Sequence, residues 1–194
     1  MGTIRVVYFS GYGHTARLAA AVLDGITSVG AAAAGIVVDA EGNLPETAWT
    51  ELREADTIVF GCPTYMGCIP WQYKRFIDAS SQVWAAQGWR DKLAAGFTNS
   101  GSMNGDKHMT LSYLFQLAMQ HAMLWVGPGL MPANKVLSQR DDINYLGAFH
   151  GLMAQSPADA GADLAPGTGD LETARLFGQR VARASLRWQS GDIA

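Results

Sequence analysis

The residues best suited to chemistry form one stretch near the start of the chain, where an apolar run ends in Ser10-Gly11-Tyr12-Gly13-His14-Thr15. The apolar residues before it predict a buried strand, and the pattern after it predicts a helix. The first amides of a helix have no intrahelical acceptor, and the helix dipole favours an anion beside them. Because the stretch contains no Lys and only Arg17 follows it, we expect backbone amides and the Ser10 and Thr15 hydroxyls to bind a phosphate.

Three interpretations of this loop are open from its residues alone. Gly11, Gly13 and Ala16 satisfy the G-x-G-x-x-A pattern of dinucleotide-binding loops, and Asp39 follows a second apolar run, where an acid would bind the ribose. A second interpretation is a mononucleotide loop in which the two hydroxyls bind one terminal phosphate. The third is a glycine turn that binds no ligand. A single glycine pattern is weak evidence, so the remainder of the chain has to decide.

The composition of the 194 residues argues against several classes of protein. The formal net charge of −3 disfavours a nucleic-acid surface, which needs a basic stripe. The longest apolar stretch, residues 31–38, is far shorter than a membrane span, and the strand pattern at Ile4 leaves no room for a signal peptide. Cys62 and Cys68 are too few for a disulfide framework or a metal cluster. We therefore expect free thiols, no bound metal and a cytoplasmic protein.

Strand and helix patterns alternate along the chain, which predicts a parallel sheet covered by helices on both faces. The expected strands are residues 4–9, 35–39, 57–61, 93–98 and 123–126. Trp71 opens the helix after the third strand and is expected in the core. Residues 127–169 show no regular pattern and are predicted to be irregular, and the last helix begins near Thr168 or Asp170. We predict one domain, residues 1–194, with an α/β fold: a doubly wound sheet of five parallel strands in the order 2-1-3-4-5.

Three unusual loops follow the first, third and fourth predicted strands, whose carboxyl ends this strand order places side by side. Ligands of open parallel sheets bind at that edge, where the strand order reverses. The first loop carries the phosphate donors, and the second, residues 63–70, combines Pro and Gly with Tyr65. The third, residues 99–106, is rich in small residues that let backbone amides approach a ligand. These surfaces suit a monophosphate, a flat ring and the polar chain between them.

The motifs of these loops resemble those of WrbA-type NAD(P)H:quinone oxidoreductases and the related NADPH-dependent FMN reductases, which are flavodoxin-like FMN proteins. The resemblance rests on residues 10–15, on Phe60-Gly-Cys-Pro-Thr-Tyr-Met-Gly67, on Gln82-Val-Trp84, on Ser100-Gly-Ser102 and on His121-Ala-Met123. It extends from about residue 4 to residue 129 and resumes weakly over residues 166–182. It favours a mononucleotide loop and a flavodoxin-like three-layer fold.

The resemblance implies where each ligand would lie. FMN would be bound by Ser10, Gly11, Tyr12, Gly13, His14 and Thr15 of the first loop, by Pro63, Thr64, Tyr65, Met66 and Gly67 of the second, and by Ser100, Gly101, Ser102, Met103, Asn104 and Gly105 of the third. The nicotinamide nucleotide would dock at Tyr12, and Trp84 and His121 would line the substrate face of the flavin. His121 would be the catalytic residue, neutralising charge that develops on an oxygen as the acceptor is reduced.

The function implied is hydride transfer from NADH or NADPH to bound FMN, followed by reduction of a quinone or a similar small acceptor. The resemblance also implies a homo-oligomer, either a dimer or a tetramer. One alternative is a flavodoxin-like electron carrier that binds FMN but does not itself oxidise NAD(P)H. Two others are a Rossmann-type NAD-dependent dehydrogenase that uses Gly11, Gly13 and Asp39, and a scaffold of the same fold that binds no cofactor.

Overall fold

The computed structural model describes residues 2–191 of the chain. Within this range, strands and helices alternate as the sequence pattern predicts. In chain order the elements are β1 (Thr3–Tyr8), α1 (His14–Thr27), β2 (Ala32–Val37), α2 (Ala48–Glu54), β3 (Thr57–Pro63), α3 (Trp71–Ala79), α4 (Ser81–Ala85), β4 (Leu93–Ser100), α5 (Lys107–Gln120), β5 (Leu124–Trp125), β6 (Leu152–Gln155) and α6 (Thr168–Ser190). None of the helices in the described range is long and apolar enough to cross a bilayer.

The strands pair in parallel in the order β2-β1-β3-β4-β5, which confirms the predicted flavodoxin-like topology. The strand order reverses at β1, which lies between β2 and β3, so the carboxyl ends of β1 and β3 form a cleft. In the Rossmann order, β4 would lie beside β1 instead. The dehydrogenase interpretation of Gly11, Gly13 and Asp39 is therefore wrong, because this sheet does not have the topology that it requires.

Two short strands, rather than one, occupy the fifth position of the sheet. β5 pairs with β4 at Leu93 and Ala94, whereas β6 pairs with the other half of β4, from Phe97 to Ser100. Residues 126–151 leave the sheet between these two strands. The prediction of an irregular segment over residues 127–169 is thus corrected by β6, whose four residues are too few to reveal a strand pattern.

Two apolar layers attach the helices to the sheet, and successive residues of β1 divide between them. Val6 packs in a layer with Val22 of α1 and Phe177 of α6. Val7 faces the other layer, which includes Phe76 of α3 and Leu114 of α5. Both central strands, β3 and β4, are buried along their whole length, as expected for parallel strands covered on both faces.

Two local predictions were wrong. β2 begins at Ala32, not near residue 35, because its alanines give a weak strand signal although they pair in register with β1. Trp71 is 61% exposed instead of lying in the core. It is the first residue of α3, at the carboxyl edge of the sheet, where the helix has not yet packed against β3.

Candidate functional site

A cavity of about 630 Å³ opens at the carboxyl ends of β1, β3 and β4. It lies at the edge of the sheet where the sequence predicted a ligand. Of the predicted cofactor-binding residues, it brings together Tyr12, His14, Thr15, Pro63, Thr64, Tyr65, Ser100 and Gly101. The three loops, which are far apart in the sequence, therefore contribute to one site.

The first loop turns the chain from β1 into α1 at Gly13, whose φ of 88° lies in the left-handed region that favours glycine. Arg17 N donates the first helical hydrogen bond, to Gly13 O at 3.0 Å, so the earlier amides have no acceptor within the helix. Ser10 Oγ accepts the amide of Ala16 at 3.0 Å, which leaves the hydroxyl proton of Ser10 free to donate. Thr15 is buried beside these groups. The loop thus offers uncharged donors to an anion.

The chain after β6 covers this loop. His14 Nε2 and the carbonyl oxygen of Ala160 form a hydrogen bond of 2.8 Å, and Arg17 Nη1 donates to Ala162 O at 3.1 Å. A Cβ on Gly13 would lie only 2.7 Å from the Cβ of Ala162. The side chains of His14 and Arg17 are thus hydrogen-bonded to backbone carbonyls of the covering segment, and these bonds hold that segment against the start of α1.

The second loop reverses direction in a tight turn. The backbones of Tyr65 and Cys68 exchange hydrogen bonds of 2.9 and 3.1 Å. Between them, Met66 and Gly67 have φ angles of 45° and 81°, a conformation that is unusual for a residue with a side chain. The side chain of Met66 is fully exposed. The tip of the turn is therefore exposed to solvent, and neither Met66 nor Gly67 lines the cavity, so their assignment to the cofactor remains a prediction.

The start of the second loop is held rigidly by threonine hydroxyls. Thr64 Oγ1 lies 2.9 Å from Thr98 Oγ1 and 2.8 Å from Thr110 Oγ1, in hydrogen bonds that connect the loop to β4 and α5. The amide of Thr64 also donates to the carbonyl of Asn99 at 2.8 Å. The base of the turn is thus fixed, although its tip is exposed.

Tyr12 and Tyr65 lie between this cavity and a second one of about 430 Å³. Their rings pack edge to face with centroids 6.1 Å apart, and Tyr12 is 78% exposed. The hydroxyl of Tyr65 occupies the space that a Cβ on Gly11 would need. The second cavity is lined by Ser10, Gly11 and residues 37–40, so the two cavities adjoin across the tyrosine pair.

Asp39 lines the second cavity, but its carboxylate is already bound within its own loop. Its Oδ1 accepts the amides of Asn43 at 2.7 Å and Glu41 at 3.0 Å. These bonds, that of Asn43 above all, hold the pKa of Asp39 below its usual value. The Asp39 carboxylate stabilises a turn after β2. These hydrogen bonds explain its position at the cavity without any contact to a ribose.

The third loop wraps around a buried lysine that sequence analysis missed. Lys107 is the first residue of α5 and is fully buried. Its Nζ donates to Ser100 Oγ at 2.8 Å, to Ser102 O at 2.6 Å and to Met103 O at 2.9 Å. Burial lowers the pKa of Lys107 to about 8. Gly105, with φ of 56°, lies so close to Ser100 Oγ that a Cβ would overlap it.

The remaining predicted residues of the third loop lie away from the first cavity. Met103 and Asn104 line a separate cavity of about 350 Å³ together with His108. Ser102 and Gly105 instead face the group around Lys107 and Ser100. Their assignment to the cofactor remains a prediction.

Trp84 and His121 lie at the opposite edge of the sheet. His121 follows α5, whose 14 residues carry it about 21 Å along the helix axis from Lys107. The neighbouring carbonyl of Ala122 accepts the amide of Asp91, just before β4 begins. Trp84 and His121 line a cavity of about 280 Å³ there. A single chain does not bring them to the residues that line the main cavity, so their predicted roles at a flavin remain predictions.

His121 is almost completely buried, and its surroundings account for it structurally. Its Nε2 forms a hydrogen bond of 2.9 Å with Ser80 Oγ, and its ring packs on Trp89 with centroids 4.3 Å apart. Burial lowers the pKa of His121 from 6.5 to about 4. The side chain is therefore neutral at pH 7.

This low pKa predicts how stability depends on pH. The pKa of His121 is lower in the folded state than in the unfolded state. Its contribution to the free energy of unfolding is therefore complete above pH 6.5 and is lost as the pH falls to 4. We expect the free energy of unfolding to fall by about 3 kcal/mol over this pH range. Urea denaturation at pH values across the range measures the loss. His121→Gln should be less stable than wild type at pH 7, but its free energy of unfolding should fall less on acidification. His108→Gln, at an exposed position, should lose as much stability on acidification as wild type. Equal losses in wild type and His121→Gln would contradict the prediction.

Comparison with known proteins identifies the family. Residues 41–136 match the family model for NADPH-dependent FMN reductase. Over 178 residues the chain is 53% identical to flavodoxin FldP of Pseudomonas aeruginosa, covering 92% of this chain and 94% of that protein. A crystal structure of a WrbA-like flavodoxin from Agrobacterium tumefaciens matches with a TM-score of 0.76 and 45% identity, covering 96% of this chain and 99% of that one. The chain belongs to the WrbA-like flavodoxins.

More distant relatives of this WrbA-like flavodoxin carry an enzyme name. The NAD(P)H dehydrogenase (quinone) of Trichlorobacter lovleyi is 27% identical over 206 residues, covering 96% of this chain and 98% of that protein. The family resemblance seen in the loop motifs is therefore confirmed.

The residues of this WrbA-like flavodoxin fit FMN. The helix amides left without an acceptor, together with the Ser10 and Thr15 hydroxyls, suit a phosphate dianion without a lysine. The main cavity, about 630 Å³, is within the size range of small-molecule sites. Gly11 has no Cβ where the Tyr65 hydroxyl approaches, so the first two loops can come close enough to share one ligand.

Five further residues line the main cavity although the sequence analysis did not assign them to the cofactor: Asn99, which begins the predicted third loop, and Ser156, Ala158, Ala160 and Gly161. Ser156 Oγ donates to Asn99 Oδ1 at 3.0 Å, which attaches the covering segment to the end of β4. Small residues carry no motif of their own. The one available signal was Asn99 itself, a polar residue next to the last residue of β4.

The two cysteines of the WrbA-like flavodoxin are free thiols. Burial raises the pKa of Cys62 well above its usual value, so this thiol is not a nucleophile at neutral pH. Within residues 2–191, no group of three His, Cys, Asp or Glu side chains could hold a metal ion.

Proposed function

We propose that this protein is an FMN-dependent oxidoreductase that passes electrons from NADH or NADPH to a quinone-like acceptor. The observation that carries the proposal is the pair of adjoining cavities. One has the donors and volume for FMN, and the other leaves room for a second molecule beyond Tyr12 and Tyr65. The relative from Trichlorobacter lovleyi that is named NAD(P)H dehydrogenase (quinone) supports this choice of donor and acceptor. Bound FMN would supply the two-electron chemistry.

The residues of the chain would mainly bind and orient. Amides of the first loop and the hydroxyls of Ser10 and Thr15 would hold the phosphate. The turn from Pro63 to Gly67 would limit the position of the ring, and the exposed Tyr12 would stack against the nicotinamide nucleotide. This arrangement needs no side chain that forms a covalent bond with the substrate.

The second candidate is an electron carrier, and the name of the 53% identical relative, flavodoxin FldP, favours it. A carrier would bind FMN equally well. It would accept electrons from a reduced partner and would not react with NAD(P)H on its own.

Purification without added cofactor, followed by anaerobic mixing, separates the two functions. An oxidoreductase should show a flavin spectrum that NADH or NADPH bleaches and that benzoquinone restores. Because one flavin would serve donor and acceptor in turn, double-reciprocal plots should be parallel. A flavin that only dithionite bleaches would identify a carrier, and intersecting plots would contradict a shared site.

Tyr12→Ala is expected to raise the KM for the nicotinamide nucleotide about fivefold while FMN stays bound. Loss of the aromatic contact removes about 1 kcal/mol of stacking with the nucleotide. Steady-state kinetics with saturating benzoquinone measure the effect. Phe149→Ala is the matched control, since Phe149 is an exposed aromatic side chain that lines neither cavity of the proposed site. An unchanged KM in Tyr12→Ala would place the nucleotide elsewhere.

A further inference from the structure

Lys107 is a buried cation beside the candidate cofactor site, and binding of the FMN phosphate does not account for it. Its side chain has no exposed surface. Its ammonium has three hydrogen atoms, and its three acceptors are Ser100 Oγ, Ser102 O and Met103 O. Burying a charge costs free energy. We therefore expect a lysine in this position to have a function that offsets this cost.

The charges around Lys107 do not neutralise it. In the part of the chain that the structure describes, Lys107 belongs to no ion pair. The charged groups that affect it are Asp170 of α6 and Arg140 of the segment between β5 and β6. Asp170 accepts Arg140 Nη1 at 2.9 Å and the amide of Gln155 at 2.8 Å. Asp170 is therefore engaged by Arg140 and by a backbone amide, and no carboxylate in the described part of the chain pairs directly with the Lys107 ammonium.

The lysine also fixes the direction of the loop backbone. In a trans peptide the carbonyl and the following N–H point in opposite directions. Because the carbonyls of Ser102 and Met103 point to Lys107, the amides of Met103 and Asn104 point away from it. The dipoles of these two peptides are thus aligned by the ammonium. Ser100, the third partner, lines the main cavity.

We propose that Lys107 is a positioning residue whose buried charge, one hydrogen bond behind the Ser100 hydroxyl that lines the main cavity, makes the site bind reduced FMN more tightly than oxidised FMN. The inference rests on the proposed function in taking FMN as the bound group. A hydride from NAD(P)H brings two electrons and one proton, so the flavin gains one negative charge and the nicotinamide leaves as the oxidised cation. A cation in a poorly hydrated site stabilises that added charge.

The test compares Lys107→Met, which keeps the length of the side chain and removes its charge, with wild type and with Lys135→Met. Lys135 is exposed, so its variant makes the same change in net charge away from the loop. Oxidised FMN affinity is measured by titration, and the two-electron midpoint potential by equilibration with a redox dye. Lys107→Met should weaken binding of reduced FMN relative to oxidised FMN at least tenfold, a potential about 30 mV more negative. Lys135→Met should match wild type.

A potential in Lys107→Met equal to that of wild type, or equal weakening of both redox states, would overturn the proposal. If Lys107→Met fails to fold, wild type alone provides the test. Because the lysine loses its proton near pH 8, the potential of the bound flavin should fall more steeply above that pH than the potential of free FMN. Parallel curves would overturn the proposal. Dithionite replaces NAD(P)H throughout, so a failure of the proposed NAD(P)H oxidation leaves this test intact.

Discussion

Replacing Ser10 and Thr15 together by alanine is expected to weaken FMN binding by about 3 kcal/mol, roughly a hundredfold in the dissociation constant. Each hydroxyl is a donor to a charged phosphate in the proposed site. Ser10 has a second role, since its Oγ accepts the amide of Ala16 in the first turn of α1. Its loss would leave that amide without its partner. The effect is measured by titrating the apoprotein with FMN.

The other end of the same helix provides a matched control. Thr27 and Ser28 carry the same two types of hydroxyl, which donate to backbone carbonyls at 3.1 Å and 2.8 Å. Replacing both by alanine should leave FMN affinity unchanged, although it removes the same atoms. If the double variant at Ser10 and Thr15 binds FMN as tightly as wild type, the phosphate does not lie at this loop.

The first loop could be predicted from sequence because its chemistry is local. A strand pattern, two glycines, two hydroxyls and a helix pattern lie within a dozen residues, and the covalent chain alone brings them together. The order of the strands could be predicted for a related reason. Alternating strands and helices permit few right-handed arrangements, and the positions of the three loops favoured the order that places them at one edge.

The covering segment could not be predicted, because nothing local defines it. Ala158, Ala160 and Gly161 reach the cavity only because β6 pairs with β4. That pairing joins residues 55 apart, at Phe97 and Leu152. A four-residue strand without alternation gives no signal until its partner is known.

The position of His121 could have been derived from the fold, whereas the resemblance alone placed it at the flavin. A helix that connects two parallel strands has to return to the opposite edge of the sheet. Its last residue is therefore far from a site at the carboxyl ends of the strands. Lys107, at the first residue of the same helix, lies at the cofactor edge for the same reason.

Gly178→Ala is expected to lower the unfolding free energy by about 2 kcal/mol. A Cβ at this position would overlap the carbonyl oxygen of Val22, because α1 and α6 cross with their backbones in contact. Alanine gains about 1 kcal/mol in helix propensity over glycine. Overpacking typically costs 1–3 kcal/mol, and more where backbone has to move, so the clash outweighs the gain. Urea denaturation measures the difference.

Gly25→Ala tests the same crossing from the other helix, since its Cβ would overlap the carbonyl oxygen of Arg175. Ala20→Ser, which adds one atom to the exposed face of α1, should cost less than about 0.5 kcal/mol. Either substitution alone is expected to move α1 and α6 apart, so the second alanine would be accommodated at the crossing with less overlap. The double variant should therefore lose less than the sum of the single variants. Full additivity would show that the two glycines act at independent contacts and that α1 and α6 do not move as rigid bodies.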